Sequence, residues 1–263
     1  MRENSQKDTP AVFRKYKAVI AYDGTSFSGW QYQDNALGIQ QVVEEVLAAL
    51  ELSSVRVYGS SRTDAGVHAR GFVCHFSLSK PIPPHNLLRA MNSRLPPSVR
   101  VMKASYANEN FDARLSAKGK EYRYQLYQSD ILPPHLAPYW TYCHRPLDLE
   151  AMRKAASYFV GRHDFVSFAA NPNRELETTV RNVFSFTVRK AGPKYVFIVR
   201  GDGFLYKQVR SMVGFLISVG KGNEKPEAVK ELLDSASPRT ARVETAPSRG
   251  LFLWKVFYNR RFL

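Results

Sequence analysis

Apolar residues fall along this chain with two periods, near two and near 3.6, and the order of those periods predicts its elements. An apolar, β-branched run at Lys17–Tyr22 (KAVIAY) predicts a strand, and Asp23–Gly24 ends it as a turn would. Over Leu37–Leu50, Ile39, Val42, Val43, Val46, Leu47 and Leu50 recur at helical spacing. Val55–Tyr58 reads as a short strand, and Phe72, Cys74, Phe76 and Leu78 alternate as another. Pro84–Leu95 predicts a helix with proline at its start and Pro96–Pro97 stopping it, and Val99–Tyr106 a strand. The order β-α-β-β-α-β is the split motif of ferredoxin-like folds.

The same order returns. Lys120–Tyr127 alternates as a strand, and Leu149, Met152, Ala155, Ala156 and Phe159 mark a helix with Asp148 as N-cap and Gly161 after its end. Val183–Lys190 and Lys194–Arg200 pair as a hairpin around Ala191-Gly192-Pro193. Leu205–Val219 and Pro226–Asp234 predict helices, and Leu251–Tyr258 the last strand. The chain is therefore expected to be α/β of the α+β kind. Two ferredoxin-like halves, residues 1–112 and 113–263, would join their antiparallel sheets, with helices on one face and a cleft between the halves.

Charge changes this picture. Thirty-eight Lys and Arg against 23 Asp and Glu leave a net charge of +15. Such a field attracts polyanions, of which nucleic acid is the commonest for a basic globular protein. No stretch approaches the length of an apolar membrane span. The polar, acid-containing start MRENSQKDTP is not read as a secretory signal or transit peptide. Cys74 and Cys143 make no disulfide framework, so a reducing cytoplasm is expected. The six histidines show no metal-ligand spacing, so no metal is expected. Arg70-Gly71-Phe72-Val73 partly matches the base-stacking strand of RNA-recognition modules, but the small residue and second aromatic are missing.

Between two predicted strands stands SSRTDAGVHARGF, residues 60–72, where Asp64 lies among Arg62, His68 and Arg70. Asp64 can cap a turn through Thr63 and Gly66, or be a single carboxylate held by a cation for chemistry. No second carboxylate, Ser-His-Asp order or phosphate-binding loop stands near it.

SRTDAGVHA resembles the signature of the TruA family of tRNA pseudouridine synthases, usually GRTDAGVHA. AYDGTSFSGWQYQ (21–33), FDARLSAKGKEYRY (111–124), GRHDFVSF (161–168), GFLYKQVRSMVG (203–214) and APSRGLFL (246–253) resemble further family blocks in the right order. The resemblance implies an isomerase that converts uridine to pseudouridine at positions 38, 39 and 40 of the tRNA anticodon stem-loop. It implies no cofactor and a homodimer with tRNA lying across both subunits. It also implies two ferredoxin-like halves with the site between them.

By matching position, Asp64 resembles the family's catalytic nucleophile and Arg210 the arginine that pairs with it, keeping the carboxylate ionised. Tyr122 matches the tyrosine that packs on the target base, with Tyr124 one register slip away. Arg62 matches an arginine that holds the site when uridine leaves its stack, and Leu251 is expected to wall the pocket. Ser61 departs from the usual glycine, so its backbone must avoid positive φ. Lys207-Gln208 and Ser248-Arg249 also depart from the pattern.

Overall fold

The computed structural model describes residues 13–170, 178–259 and 261. The opening stretch MRENSQKDTP lies outside them. The first half contains β1 (Arg14–Tyr22), α1 (Ile39–Glu51), β2 (Tyr58–Gly59), β3 (His68–Leu78), α2 (Pro84–Asn92) and β4 (Val99–Tyr106). The second contains β5 (Gly119–Gln128), β6 (Thr141–Cys143), α3 (Leu149–Tyr158) and β7 (Gly161–Asp164). It continues with β8 (Val180–Ala191), β9 (Lys194–Gly201), α4 (Gln208–Gly220), α5 (Ala228–Ser235) and β10 (Leu251–Phe257).

All strands share one sheet, ordered β4-β1-β3-β10-β5-β9-β8-β7, with β2 paired to β3 and β6 to β5. Strands β4-β1-β3-β2 and β10-β5-β9-β8 each show the ferredoxin-like neighbour order, and each set is antiparallel within itself. The two sets meet through a parallel seam of two residue pairs, Phe252 with His68 and Leu253 with Ala69.

Alternation explains which face is covered. Along β1, Tyr16, Ala18, Ile20 and Tyr22 are buried while Lys15, Lys17, Val19 and Ala21 stay partly exposed. Strand β9 repeats this with Tyr195, Phe197 and Val199 inward. The inward faces receive Ile39, Val43 and Leu47 of α1, Leu87 and Met91 of α2, and Met152, Ala155 and Ala156 of α3. Phe72 is wholly buried with Trp30 stacked on it at 3.9 Å, so this phenylalanine packs the core and offers no base-stacking surface. On the open face, Trp254 lies between the guanidinium groups of Arg70 and Arg123, at 4.4 and 3.9 Å. Glu121 accepts from the Nε of both Arg123 and Arg200 at 2.7 Å.

Three expectations change. The strand expected over Val55–Tyr58 shrinks to Tyr58–Gly59, because α1 side chains take the Val57 backbone bonds. Glu44 Oε1 accepts the Val57 N–H, and Gln40 Nε2 donates to the Val57 carbonyl. Strand β3 begins at His68, earlier than Phe72. Helix α4 begins at Gln208 because Lys207 adopts the left-handed region at φ 59°, where the Gln208 side chain accepts the Leu205 N–H. Among the described residues, no helix is long and apolar enough to cross a membrane.

Candidate active site

With β3 starting at His68, the connecting loop reduces to residues 60–67. Ser60 ties its first end to the sheet, donating its N–H to the Val73 carbonyl and accepting the Val73 N–H on Oγ. The segment after β1 forms a bed under the rest. The Trp30 N–H donates to the Thr63 carbonyl at 3.1 Å, the Tyr22 hydroxyl bonds Thr63 Oγ1 at 2.8 Å, and the Gly66 N–H donates to the Phe27 carbonyl at 3.2 Å. This bed must come very close: a Cβ on Gly24 would lie 2.1 Å from the Val67 carbonyl oxygen. Gly66 itself takes φ 73°, a conformation glycine adopts without strain, and the Val67 N–H closes the turn on the Asp64 carbonyl.

His68 is not part of the loop. It is fully buried in β3, where Nδ1 lies 3.0 Å from the Gly24 nitrogen and 3.2 Å from Asp23 Oδ1, and Nε2 lies 3.1 Å from the Pro138 carbonyl oxygen. Burial lowers its pKa, against the opposing pull of Asp23. Its role is to lock the bed.

The loop carries Asp64 to helix α4 of the other half. Arg210 Nη1 donates to Asp64 Oδ2 at 2.8 Å, with the two side chains 14% and 18% exposed. One peptide grips the arginine: Arg210 Nε donates to the Ala246 carbonyl at 2.8 Å, and the Ala246 N–H donates to the Arg210 carbonyl. The guanidinium thus stands fixed before it meets the carboxylate. Asp64 Oδ1 accepts no hydrogen bond from any described residue, so one carboxylate oxygen is held and the other is available.

Tyr122 projects from β5 toward the same loop. Its hydroxyl lies 3.2 Å from Ser61 Oγ, and its ring meets Phe204 edge-on at 5.4 Å. Burial pushes the phenol up to about 12, with the Ser61 hydrogen bond working against the rise and the Asp64 charge adding to it. Tyr122 is therefore a neutral phenol near neutral pH. Tyr124 is engaged elsewhere, its hydroxyl bonded to Thr141 Oγ1 at 2.5 Å and to the Pro247 carbonyl at 2.9 Å. Leu251 is buried opposite Tyr124 in the β5–β10 ladder, with Leu253 opposite Tyr122. Arg62 is exposed and makes no hydrogen bond, ion pair or ring contact with any described residue.

Residues 18–115 and 155–259 match the family described as tRNA pseudouridine synthase. The chain belongs to the tRNA pseudouridine synthase family. It is 43% identical over 243 residues to the tRNA pseudouridine synthase A of Syntrophotalea carbinolica, covering 92% of this chain and 95% of the relative. It is 41% identical over 248 residues to that of an Exiguobacterium species, covering 94% and 99%. Against tRNA pseudouridine synthase A 2 of Clostridium perfringens it is 40% identical over 245 residues, covering 93% and 100%. A solved Cbf5–Nop10–Gar1 complex superposes at a TM-score of 0.32 and 12% identity, over 76% of this chain and 54% of that one, too loosely to bear on the fold.

Within this family member, several contributors carry no signal of their own in the sequence. Ala246 acts through its peptide, and Tyr22 and Trp30 act by supporting Thr63. Ser61 stood out only as a departure from the signature. A hollow of about 340 Å³ is lined by residues that include Tyr22, Arg70, Arg100, Met102, Phe252 and Trp254.

Proposed function

We propose that this chain converts uridine to pseudouridine at positions 38, 39 and 40 of the tRNA anticodon stem-loop, with Asp64 as the acting carboxylate. The observation that carries this is the Asp64–Arg210 pair, in which a fixed guanidinium holds one carboxylate oxygen 2.8 Å away and leaves the other available. The reaction breaks the bond from uracil N1 to ribose C1′, turns the base, and joins C5 to C1′. C5 releases its hydrogen as a proton and N1 gains one, so atoms and charge balance without net oxidation. No cofactor is called for.

Arg210 holds the Asp64 carboxylate in place, as either nucleophilic attack or proton removal requires. Tyr122, a neutral phenol, packs beside the base and offers a donor to it. Extruding a nucleotide costs a few kcal/mol, and Arg62, exposed and unpartnered, is the cation placed to hold the vacated position. Leu251 contributes apolar wall. The enzyme is proposed to act in the cytoplasm as a homodimer, with tRNA spanning both subunits.

Mapping pseudouridine in tRNA treated with the parent protein and with Asp64→Ala tests this reading. Pseudouridine should appear at the three positions with the parent and be abolished by the substitution while tRNA stays bound. Turnover of Asp64→Ala within a few fold of the parent would overturn the catalytic assignment. Loss of pseudouridine only in other RNAs, in cells lacking the protein, would overturn the substrate.

A further inference from the structure

Ser61 stands where the family signature has glycine, and what it does follows from where its hydroxyl goes. The Ser61 backbone lies outside the left-handed region, so this chain makes no use of glycine's conformational freedom there. Its Oγ lies 3.2 Å from the Tyr122 hydroxyl, and neither oxygen has another hydrogen-bond partner among the described residues. The contact links the Asp64 loop of the first half to strand β5, the sheet's central strand in the second.

Two hydroxyls share this contact, and only one hydrogen can lie between the oxygens. The other hydrogen must point away. A phenol is a stronger donor than an aliphatic hydroxyl, and the negative charge of Asp64 acts on Tyr122. The phenol's strength as a donor favours its hydrogen on Ser61 Oγ, whereas the Asp64 charge favours the serine hydrogen there with the phenol hydrogen turned away.

The geometry points to Ser61 as a positioning residue for Tyr122: its hydroxyl pairs with the phenol hydroxyl and fixes where the phenol hydrogen lies, on Ser61 Oγ or turned into the cleft. This rests on Tyr122 being the tyrosine beside the target base. In a chain with glycine at this position, that hydrogen would be free to rotate. The serine converts a packing aromatic into an oriented hydroxyl, and its cost on removal is that of one hydrogen bond.

Single-turnover rates at saturating tRNA test it, with Ser61→Ala, Ser61→Gly, Tyr122→Phe and the double variant Ser61→Ala/Tyr122→Phe. Losing one oriented hydrogen bond should slow Ser61→Ala and Ser61→Gly alike by about three- to tenfold, with tRNA affinity within about twofold. In the Tyr122→Phe background, Ser61→Ala should add nothing. An equal loss in both backgrounds would overturn the inference, because Ser61 would then act without the phenol. A loss in Ser61→Gly alone would assign the effect to backbone freedom and overturn it as well. If Tyr122→Phe is slow while Ser61→Ala is normal, this inference fails and the role of Tyr122 survives. A Tyr122→Phe variant as fast as the parent would sink both.

Discussion

Arg210→Ala removes two hydrogen bonds at once, one from Nη1 to Asp64 Oδ2 and one from Nε to the Ala246 carbonyl, each at 2.8 Å. Asp64 then loses its hydrogen-bond partner where 18% of its side chain meets water. Removing one partner of a fully buried pair costs about 3–5 kcal/mol. The remaining exposure lets water screen the carboxylate, so a loss of about 2–3 kcal/mol in folding is expected. For turnover the relevant quantity is one hydrogen bond to a charged group, about 1.5–3 kcal/mol, or a slowing of about 10- to 150-fold. Arg210→Lys keeps the charge but has no planar fork, so it satisfies one acceptor and should recover folding more than rate. Release of tritium from C5-labelled uridine in tRNA reads turnover, since that hydrogen must leave, and filter binding reads affinity separately. The rate should fall with affinity unchanged within about threefold. In urea unfolding, Asp64→Ala should remove most of the stability cost of Arg210→Ala. A fall in affinity matching the fall in rate would make Arg210 a phosphate contact and refute the pairing role. Additive stability losses would refute the ion pair itself.

Two further perturbations test the scaffold. Glu121, 3% exposed, has its pKa lowered: burial opposes ionisation, but the hydrogen bonds and charges of Arg123 and Arg200 outweigh it. The carboxylate thus stabilises the fold above its ordinary value near 4.5, and that stability is lost as pH falls through the lower folded value. Glu121→Gln should cost about 2–3 kcal/mol by urea midpoint at pH 7, with the difference from the parent shrinking in acid; an unchanged midpoint at pH 7 would contradict this. Gly24→Ala places a Cβ 2.1 Å from the Val67 carbonyl oxygen, so the bed and the Asp64 loop must part. Turnover should drop at least about tenfold and thermal stability by about 2 kcal/mol or more, and parental activity would show that the loop does not depend on its bed.

How much of this was legible in the sequence depends on whether an element's neighbours are local. Strand β1 and the β8–β9 hairpin are legible because one face packs on helices and the other stays open, which imposes period two. The cap on α3 is equally local, Asp148 Oδ1 accepting the Ala151 N–H. Strand β2 is not legible, since Val55 and Val57 are as buried as strand residues while α1 side chains satisfy the Val57 backbone. Strands β6 and β7, three and four residues long, are too short to show a period. Within the site, Asp64 and Arg210 lie in blocks that resemble the family. That the Ala246 peptide holds Arg210, or that Ser61 reaches Tyr122, depends on how two halves of the chain meet, which no local pattern encodes.

The parallel seam also sets a condition on synthesis. Strand β10, made after every other described strand, is the strand that pairs both with β3 of the first half and with β5 of the second. Until it emerges, the edges of β3 at His68–Ala69 and of β5 at Gly119–Tyr124 that face β10 are unpaired, and their exposed backbone groups invite pairing with other chains. The Asp64 loop leaves the ribosome early and its Arg210 partner late, but the strand that fixes the distance between them comes after both. A chain cut short before Leu251 would therefore carry both Asp64 and Arg210 without the strand that joins their two halves of the sheet.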